Sequence, residues 1–195
     1  MERAMSAARK KRRKRKWITA AVILAALAAL SSMGYNRVMR MLYPVRYEAL
    51  VTRYAAEYGL DPLLVYAVIH TESGFDPSAK SNAGAQGLMQ LTPETAEWAR
   101  MKLGELGTQA DIYDPATNIR YGVYVFSSHL NEFGSIELAS AAYHAGRGSV
   151  NRWLNNEEYS GDGVSLQKIP YGDTGKYVKK IDRTYTIYKN LYQPG

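Results

Sequence analysis

Three pairs of adjacent residues constrain the fold of this chain most directly. Each pair is a helix-capping residue followed by proline, and the pairs are Asp61-Pro62, Thr92-Pro93 and Asp114-Pro115. Aspartate and threonine accept hydrogen bonds from the free N–H groups of a first helical turn, and proline is tolerated there because it has no N–H to satisfy. The sequence therefore predicts helices that begin at residues 62, 93 and 115.

Other signals predict the remaining helices. Residues Arg46–Tyr58 have apolar side chains near helical spacing and stop at Gly59, a residue typical of helix C-terminal ends. Ser135 is placed to cap the stretch IELASAAYHAG, and a last helix is predicted from Thr174 to Tyr192. Strand patterns are almost absent, so at most a short β-ribbon is expected, in residues 74–90. The expected fold class is mainly α.

The N-terminal 35 residues differ from the rest in charge and hydropathy. Residues 1–16 contain nine Lys or Arg and one Glu, whereas the 19 residues 17–35 contain no charge. A helix of that length extends about 28 Å, close to the hydrocarbon thickness of a bilayer. Basic residues before such a span keep the N-terminus in the cytoplasm. We therefore expect one transmembrane helix at 17–35, with residues 36–195 on the extracytoplasmic side of the cell membrane.

A cleaved signal peptide is the alternative to this anchor. The strictly apolar part, Ile18–Leu30, is only 13 residues long, and Ala26-Leu27-Ala28 resembles a cleavage site. The chain has no cysteine, which excludes disulfides and leaves the redox compartment open. The expected organisation is a basic cytoplasmic tail at 1–16, the anchor or signal at 17–35, a connector at 36–45 and one domain at 46–195.

The charge distribution argues against a nucleic-acid-binding function. The net charge of +7 comes from the N-terminal tail, because the remaining residues hold 16 basic and 17 acidic side chains. A nucleic-acid-binding domain spreads its basic residues over the folded surface. The histidines, His70, His129 and His144, are too scattered to form a metal triad. We expect no nucleic acid, metal or cofactor.

One carboxylate, Glu72, is the candidate catalytic residue. It ends the helix that begins at Pro62, and that helix is apolar nearly all round, as expected of a buried central helix. Burial raises the pKa of a carboxyl group, as general-acid catalysis at neutral pH requires. A glutamate at a helix end is more often a solvated charge, so its position alone is a weak indication. The following loop adds six Gly or Ala residues between 74 and 87, and they allow close backbone approach to a ligand.

Four blocks of sequence carry a resemblance to a known family. In chain order they are ESGFDPSAKSNAGAQGLMQLTPETA, DPATNIRYGVYVFSSHL, LASAAYHAGRGSV and IPYGDTGKYVKKI. These blocks resemble the lytic transglycosylases of the soluble (SLT) type, which are relatives of goose-type lysozyme. The resemblance covers most of residues 60–185. It implies a lysozyme-like helical (SLT) domain with a cleft for peptidoglycan that runs past Glu72.

The resemblance also implies roles for individual residues. Glu72 matches the catalytic acid/base, and Tyr143 matches a neighbouring tyrosine that we expect to donate a hydrogen bond to the Glu72 carboxylate. The implied substrate-binding residues are Ser81, Gly87, Leu88, Met89, Gln90, Tyr143, His144, Asp173 and Tyr177. Four positions depart from the family's usual residues, and these bear on subsite preference: His144, Arg147, Asp173 and Gly175.

The implied reaction needs a single carboxylate. Protonated Glu72 donates to the oxygen that leaves N-acetylmuramic acid (MurNAc), and the N-acetyl group of that sugar stabilises the cationic centre. Glu72 then takes the proton of the C6 hydroxyl, which closes a 1,6-anhydro ring without water. Two other functions stay open from the sequence: a hydrolytic muramidase of the same fold, and a catalytically silent, membrane-tethered glycan-binding scaffold.

Overall fold

A computed structural model of the chain describes residues 17, 24, 34–105, 107 and 110–193. The chain divides into two compact units, residues 1–44 and 45–195. In the first unit, residues 34–42 are helical, although most of them were assigned to the connector. The predicted basic tail and nearly all of the predicted anchor lie outside the described residues. None of the helices that the structure does describe is long and apolar enough to cross a membrane.

The described part of the second unit contains seven α-helices. They are α1 (Glu48–Tyr58), α2 (Pro62–Glu72), α3 (Pro93–Lys102), α4 (Pro115–Phe133), α5 (Ile136–Ala145), α6 (Arg147–Leu154) and α7 (Gly172–Tyr192). The three capping pairs act as predicted, because Asp61, Thr92 and Asp114 each accept a hydrogen bond from the first turn of the helix that follows. The mainly α fold class is confirmed.

Helix α6 is the one of the seven that the sequence does not predict. Gly146 and Gly148 suggest a chain break, and Gly146 does break the helix, since its φ of 83° ends α5. The chain nevertheless starts a new helix at once, because Val150 and Trp153 then bury their side chains on one face. Burial of two large apolar side chains outweighs the weak helix propensity of glycine at the start.

Helix α2 is the buried centre of the second unit, as predicted. Every residue from Leu63 to Ile69 is buried, and the helix packs against α1 and α7. Helix α7 holds the N-terminal part of α2. The Tyr188 ring stacks on Tyr66 with 5.8 Å between centroids, and the Tyr185 hydroxyl donates to the Asp61 carboxylate at 2.6 Å. These contacts fix the direction in which α2 presents its last residue, Glu72.

The loop between α2 and α3 stays within the predicted limit of at most a short β-ribbon. It has two isolated antiparallel bridges, Lys80 with Gln86 and Gln86 with Leu91. Gln86 is common to both bridges, so the loop folds back on itself twice. No strand is present in the range 34–105 or elsewhere in the described residues.

Candidate active site

Glu72 lies where the buried helix α2 stops. Its carboxylate accepts a hydrogen bond of 2.6 Å from the Tyr177 hydroxyl of α7. Burial raises the pKa of Glu72 from 4.5 to about 7, and the Tyr177 hydrogen bond and the positive charge of Lys180 oppose that rise without cancelling it. A group whose pKa is near the working pH is suited both to donate and to accept a proton.

Tyr143 does not make the hydrogen bond to Glu72 that the sequence predicts. Its hydroxyl instead donates to the Met89 carbonyl oxygen at 2.8 Å, and its ring packs on Phe126. Tyr177 makes the hydrogen bond to Glu72 that was expected of Tyr143. Burial first and then the negative charge of Glu72 raise the pKa of Tyr143 well above 10, so Glu72 lies near enough to act on Tyr143 by its charge.

His144 and Asp173 flank the Tyr177 side of the site. His144 is exposed, its ring centroid lies 4.6 Å from that of Tyr177, and its Nδ1 is 3.1 Å from the Thr174 hydroxyl. His144 therefore supports the tyrosine that binds the acid. Asp173 is also exposed, and its carboxylate accepts from the Thr174 N–H in the first turn of α7. That arrangement uses Asp173 as a helix-terminal residue, and its contact with substrate stays a prediction.

Ser73 at the end of α2 and Asn118 on α4 hold the loop in place, and the sequence-based assignment of site residues missed both. The Ser73 hydroxyl donates to the Leu88 carbonyl at 2.7 Å. Asn118 of α4 is completely buried; its Oδ1 accepts from Met89 N–H at 2.7 Å, and its Nδ2 donates to the Gln86 and Ile112 carbonyls at 3.0 and 2.8 Å. A signal for Asn118 did exist, because an amide on the buried face of an amphipathic helix needs partners.

Close packing against the core holds the GLMQ stretch, residues 87–90, in place. Gly87 has a φ of +76°, and a Cβ there would lie 2.2 Å from Asn118 Nδ2, so close packing requires glycine. The side chains of Leu88 and Met89 are 0% exposed. These two residues therefore fill the core beneath the loop, and the contact of the GLMQ stretch with substrate stays a prediction. Gln90 Nε2 donates to the Ala79 and Gly87 carbonyls and so closes the loop.

Ser81 lies at the outer turn of the same loop. Its hydroxyl accepts from the Ala85 N–H at 3.1 Å, and its backbone N–H donates to the Ala85 carbonyl. The serine is half-buried. Its side chain therefore stabilises the turn, and the substrate contact that the resemblance implies stays a prediction.

A cavity of about 320 Å³ has Gln90 and Tyr143 among its lining residues. Its apolar lining consists of Leu91, Trp98, Val125 and Ala142. Its polar lining includes Thr92, Glu94, Thr95, His129 and Arg147. An apolar surface with a few polar groups at its edge is typical of a ligand-binding pocket. We call this cavity the cleft arm. Across the described ranges, no three His, Asp or Glu side chains are grouped closely enough to hold a metal ion.

Comparison with known proteins gives a consistent family. The model of the transglycosylase SLT domain family matches residues 49–163. Soluble lytic murein transglycosylase of Salmonella typhimurium is 34% identical over 153 residues, which are 76% of this chain and 24% of that protein. Membrane-bound lytic murein transglycosylase C of Yersinia pestis is 30% identical over 167 residues, which are 74% of this chain and 47% of that protein.

Solved structures agree with the sequence comparisons. An inactive mutant of the lytic transglycosylase Slt from Pseudomonas aeruginosa matches with a TM-score of 0.70 and 32% identity, over 80% of this chain and 26% of that one. The 70-kDa soluble lytic transglycosylase of Escherichia coli matches with a TM-score of 0.68 and 28% identity, over 78% and 25%. The chain spans about a quarter of the length of these soluble enzymes. Because the family model covers more than half of the chain, the chain belongs to the transglycosylase SLT domain family.

Proposed function

We propose that this protein is a peptidoglycan lytic transglycosylase. It cleaves the β-1,4 bond between MurNAc and N-acetylglucosamine (GlcNAc) and leaves a 1,6-anhydro-MurNAc end. The observation that carries the proposal is one carboxyl group, Glu72, at the end of a buried helix, with its pKa raised to about 7 and a tyrosine hydroxyl on its oxygen. Membership of the SLT domain family and the names of the relatives support the same reaction.

In the first step, Glu72 acts as a general acid. Its proton passes to the glycosidic oxygen, which leaves as the O4 hydroxyl of GlcNAc, and the bond from that oxygen to C1 of MurNAc breaks. The raised pKa keeps a large fraction of Glu72 protonated at neutral pH, so the proton is available. The N-acetyl oxygen of the same MurNAc stabilises the electron-poor C1.

In the second step, the ionised Glu72 acts as a general base. It takes the proton of the MurNAc C6 hydroxyl, and O6 bonds to C1 to close the anhydro ring. Glu72 is thereby protonated again, and no water enters the product. The Tyr177 hydroxyl donates to the carboxylate in this charged state, in which hydrogen bonds are strongest.

The cleft arm has the chemistry expected of a sugar-binding surface. Its apolar lining, which includes the Trp98 ring, can contact the C–H faces of sugar rings, while its threonines and charged groups can bind hydroxyl, N-acetyl and lactyl groups. Tyr143 lines part of the arm, and the negative charge of Glu72 helps to raise the pKa of Tyr143. A glycan strand bound in the arm would therefore pass close to the acid.

Among the residues that the structure describes, the pKa of Glu72 gives no sign of a second carboxyl group beside it. Hydrolytic enzymes of the usual kind place two carboxyl groups about 5–9.5 Å apart. The influences on the pKa of Glu72 are burial, Tyr177 and Lys180, and no carboxylate is among them. This favours the substrate-assisted reaction over hydrolysis.

We further propose that residues 17–35 anchor the enzyme in the cell membrane and that the domain faces the peptidoglycan; the uncharged 19-residue stretch supports this.

Digestion of purified peptidoglycan by the full-length protein, followed by mass spectrometry, tests the proposal. We expect 1,6-anhydro-MurNAc ends from the wild type and from Glu137→Gln, a matched control at an exposed carboxylate on α5. We expect none from Glu72→Gln. Reducing MurNAc ends would establish a muramidase instead, and glycan binding without any product would establish a silent scaffold.

A further inference from the structure

Helix α7 reaches the last turn of α2 with two side chains that lie one helical turn apart. Tyr177 donates to the Glu72 carboxylate. Three residues later, Lys180 Nζ donates to the Thr71 carbonyl oxygen at 3.1 Å. That carbonyl is one of the last four of α2, which have no partner within their own helix. Lys180 therefore supplies a partner to the residue that immediately precedes the catalytic acid.

We propose that Lys180 is a positioning residue for Glu72: it holds the last turn of α2 in place and favours the ionised form of the carboxylate. The proposal rests on the proposed function, because it concerns the proton that Glu72 must give up and take back. A cation beside an acid stabilises the charged form, and that form is the base of the second step. Lys180 thus favours the second step, whereas burial favours the first.

Among the described residues, Lys180 is the cation whose charge affects the pKa of Glu72. Helix α7 contributes Tyr177 and Lys180, and α5 contributes Tyr143 with His144 behind the Tyr177 ring. On α2 itself, His70 lies two residues earlier and packs its ring on Phe75 and Tyr188. Burial is the largest influence on the pKa of Glu72, and the charge of Lys180 acts in the opposite direction.

A neighbouring lysine provides a matched control. Lys179 is exposed on the same helix, as Lys180 is. Within the described residues, its side chain makes no hydrogen bond or ion pair, whereas Lys180 is bonded to the end of α2. Lys179→Met and Lys180→Met remove the same charge and keep a similar side-chain length. Their comparison separates a specific effect on Glu72 from a change in net charge.

The first test is the pH dependence of kcat/KM for peptidoglycan cleavage by the full-length protein. The rate at alkaline pH falls as Glu72 loses its proton. We therefore expect Lys180→Met to move this fall upward by on the order of half a pH unit. Lys180→Arg and Lys179→Met should keep the wild-type profile, since both retain a cation at residue 180. A purely structural role would lower kcat or Tm and leave the position of the fall unchanged.

A second readout does not require catalysis. The signal of the side-chain carboxyl carbon of Glu72 can be followed by ¹³C NMR over a pH titration. It is assigned as the signal that disappears in Glu72→Gln. We expect a higher titration midpoint in Lys180→Met than in the wild type and in Lys179→Met. If the wild type does not cleave glycan, the proposed function fails and this titration still decides the role of Lys180. Equal midpoints in the three proteins would overturn that role.

Discussion

The raised pKa of Glu72 predicts that this side chain destabilises the folded protein at neutral and alkaline pH. The pKa of the folded state is about 7, against 4.5 for an unperturbed glutamate. Between these values the folded chain binds more protons than the unfolded chain. The free energy of unfolding therefore falls as the pH rises through this window. Glu72→Gln removes the titrating group, so it should remove this loss of stability.

The magnitude follows from the size of the pKa shift. One pKa unit corresponds to about 1.36 kcal/mol, so the full shift gives an upper limit of about 3 kcal/mol. Glu72 is only half-buried, and water screens part of this effect, so we expect about 2 kcal/mol in favour of Glu72→Gln above about pH 8. Below about pH 4, Glu72 is mostly protonated in both the folded and the unfolded wild type, so the difference in stability between Glu72→Gln and the wild type should be small. Glutamine keeps an oxygen that can accept from Tyr177.

Denaturant unfolding of the two full-length proteins, in the same detergent and across this pH range, measures the difference. The exposed Glu137→Gln variant serves as control and should follow the wild type at every pH. A difference between Glu72→Gln and wild type that stays constant with pH would refute the reasoning. A difference that shrinks as the pH rises would also refute it, because it would mean that the pKa is lowered by folding.

Three further substitutions test the site. Tyr177→Phe should lower kcat about 10- to 150-fold with little change in KM, since a hydrogen bond to a charged group contributes about 1.5–3 kcal/mol; an unchanged kcat would remove Tyr177 from the mechanism. Asn118→Ala should lower the free energy of unfolding by about 3–5 kcal/mol, because a fully buried side chain loses its three hydrogen bonds; a loss below about 1 kcal/mol in denaturant unfolding would contradict this. Tyr143→Phe removes the bond to Met89, so it should cost about 0.5–1.5 kcal/mol of stability and reduce kcat less than Tyr177→Phe does; the reverse order of kcat values would restore Tyr143 as the partner of Glu72.

Local signals predicted most of the helices. The capping pairs at 61–62, 92–93 and 114–115 depend only on the backbone of the next turn, so three helix starts follow from the sequence. Glu72 was singled out by three signals together: the end of an apolar helix, the loop of small residues after it and the resemblance to the family. Helix α6 was missed because its start resembles a chain break, and its formation depends on the burial of Val150 and Trp153 against other helices.

Contacts between distant residues limited the prediction of the site. Tyr143 and Tyr177 both lie in blocks that resemble the family, and the sequence alone does not tell which hydroxyl reaches a carboxylate. The choice depends on how α5 and α7 approach α2, and Tyr177 is 105 residues from Glu72 along the chain. The burial of Leu88 and Met89 was not predicted for a similar reason: a loop sequence does not reveal which side chains turn toward the core.

Cleavage in ¹⁸O-labelled water tests the central claim most directly, namely that Glu72 alone completes the reaction without a water molecule. Full-length protein is incubated with purified glycan strands in labelled water, and the new chain ends are examined by mass spectrometry. We predict MurNAc ends that carry no label and weigh about 20 Da less than ends hydrolysed in the labelled water, because the C6 hydroxyl replaces water. Labelled, reducing MurNAc ends would contradict the account and identify the protein as a hydrolase.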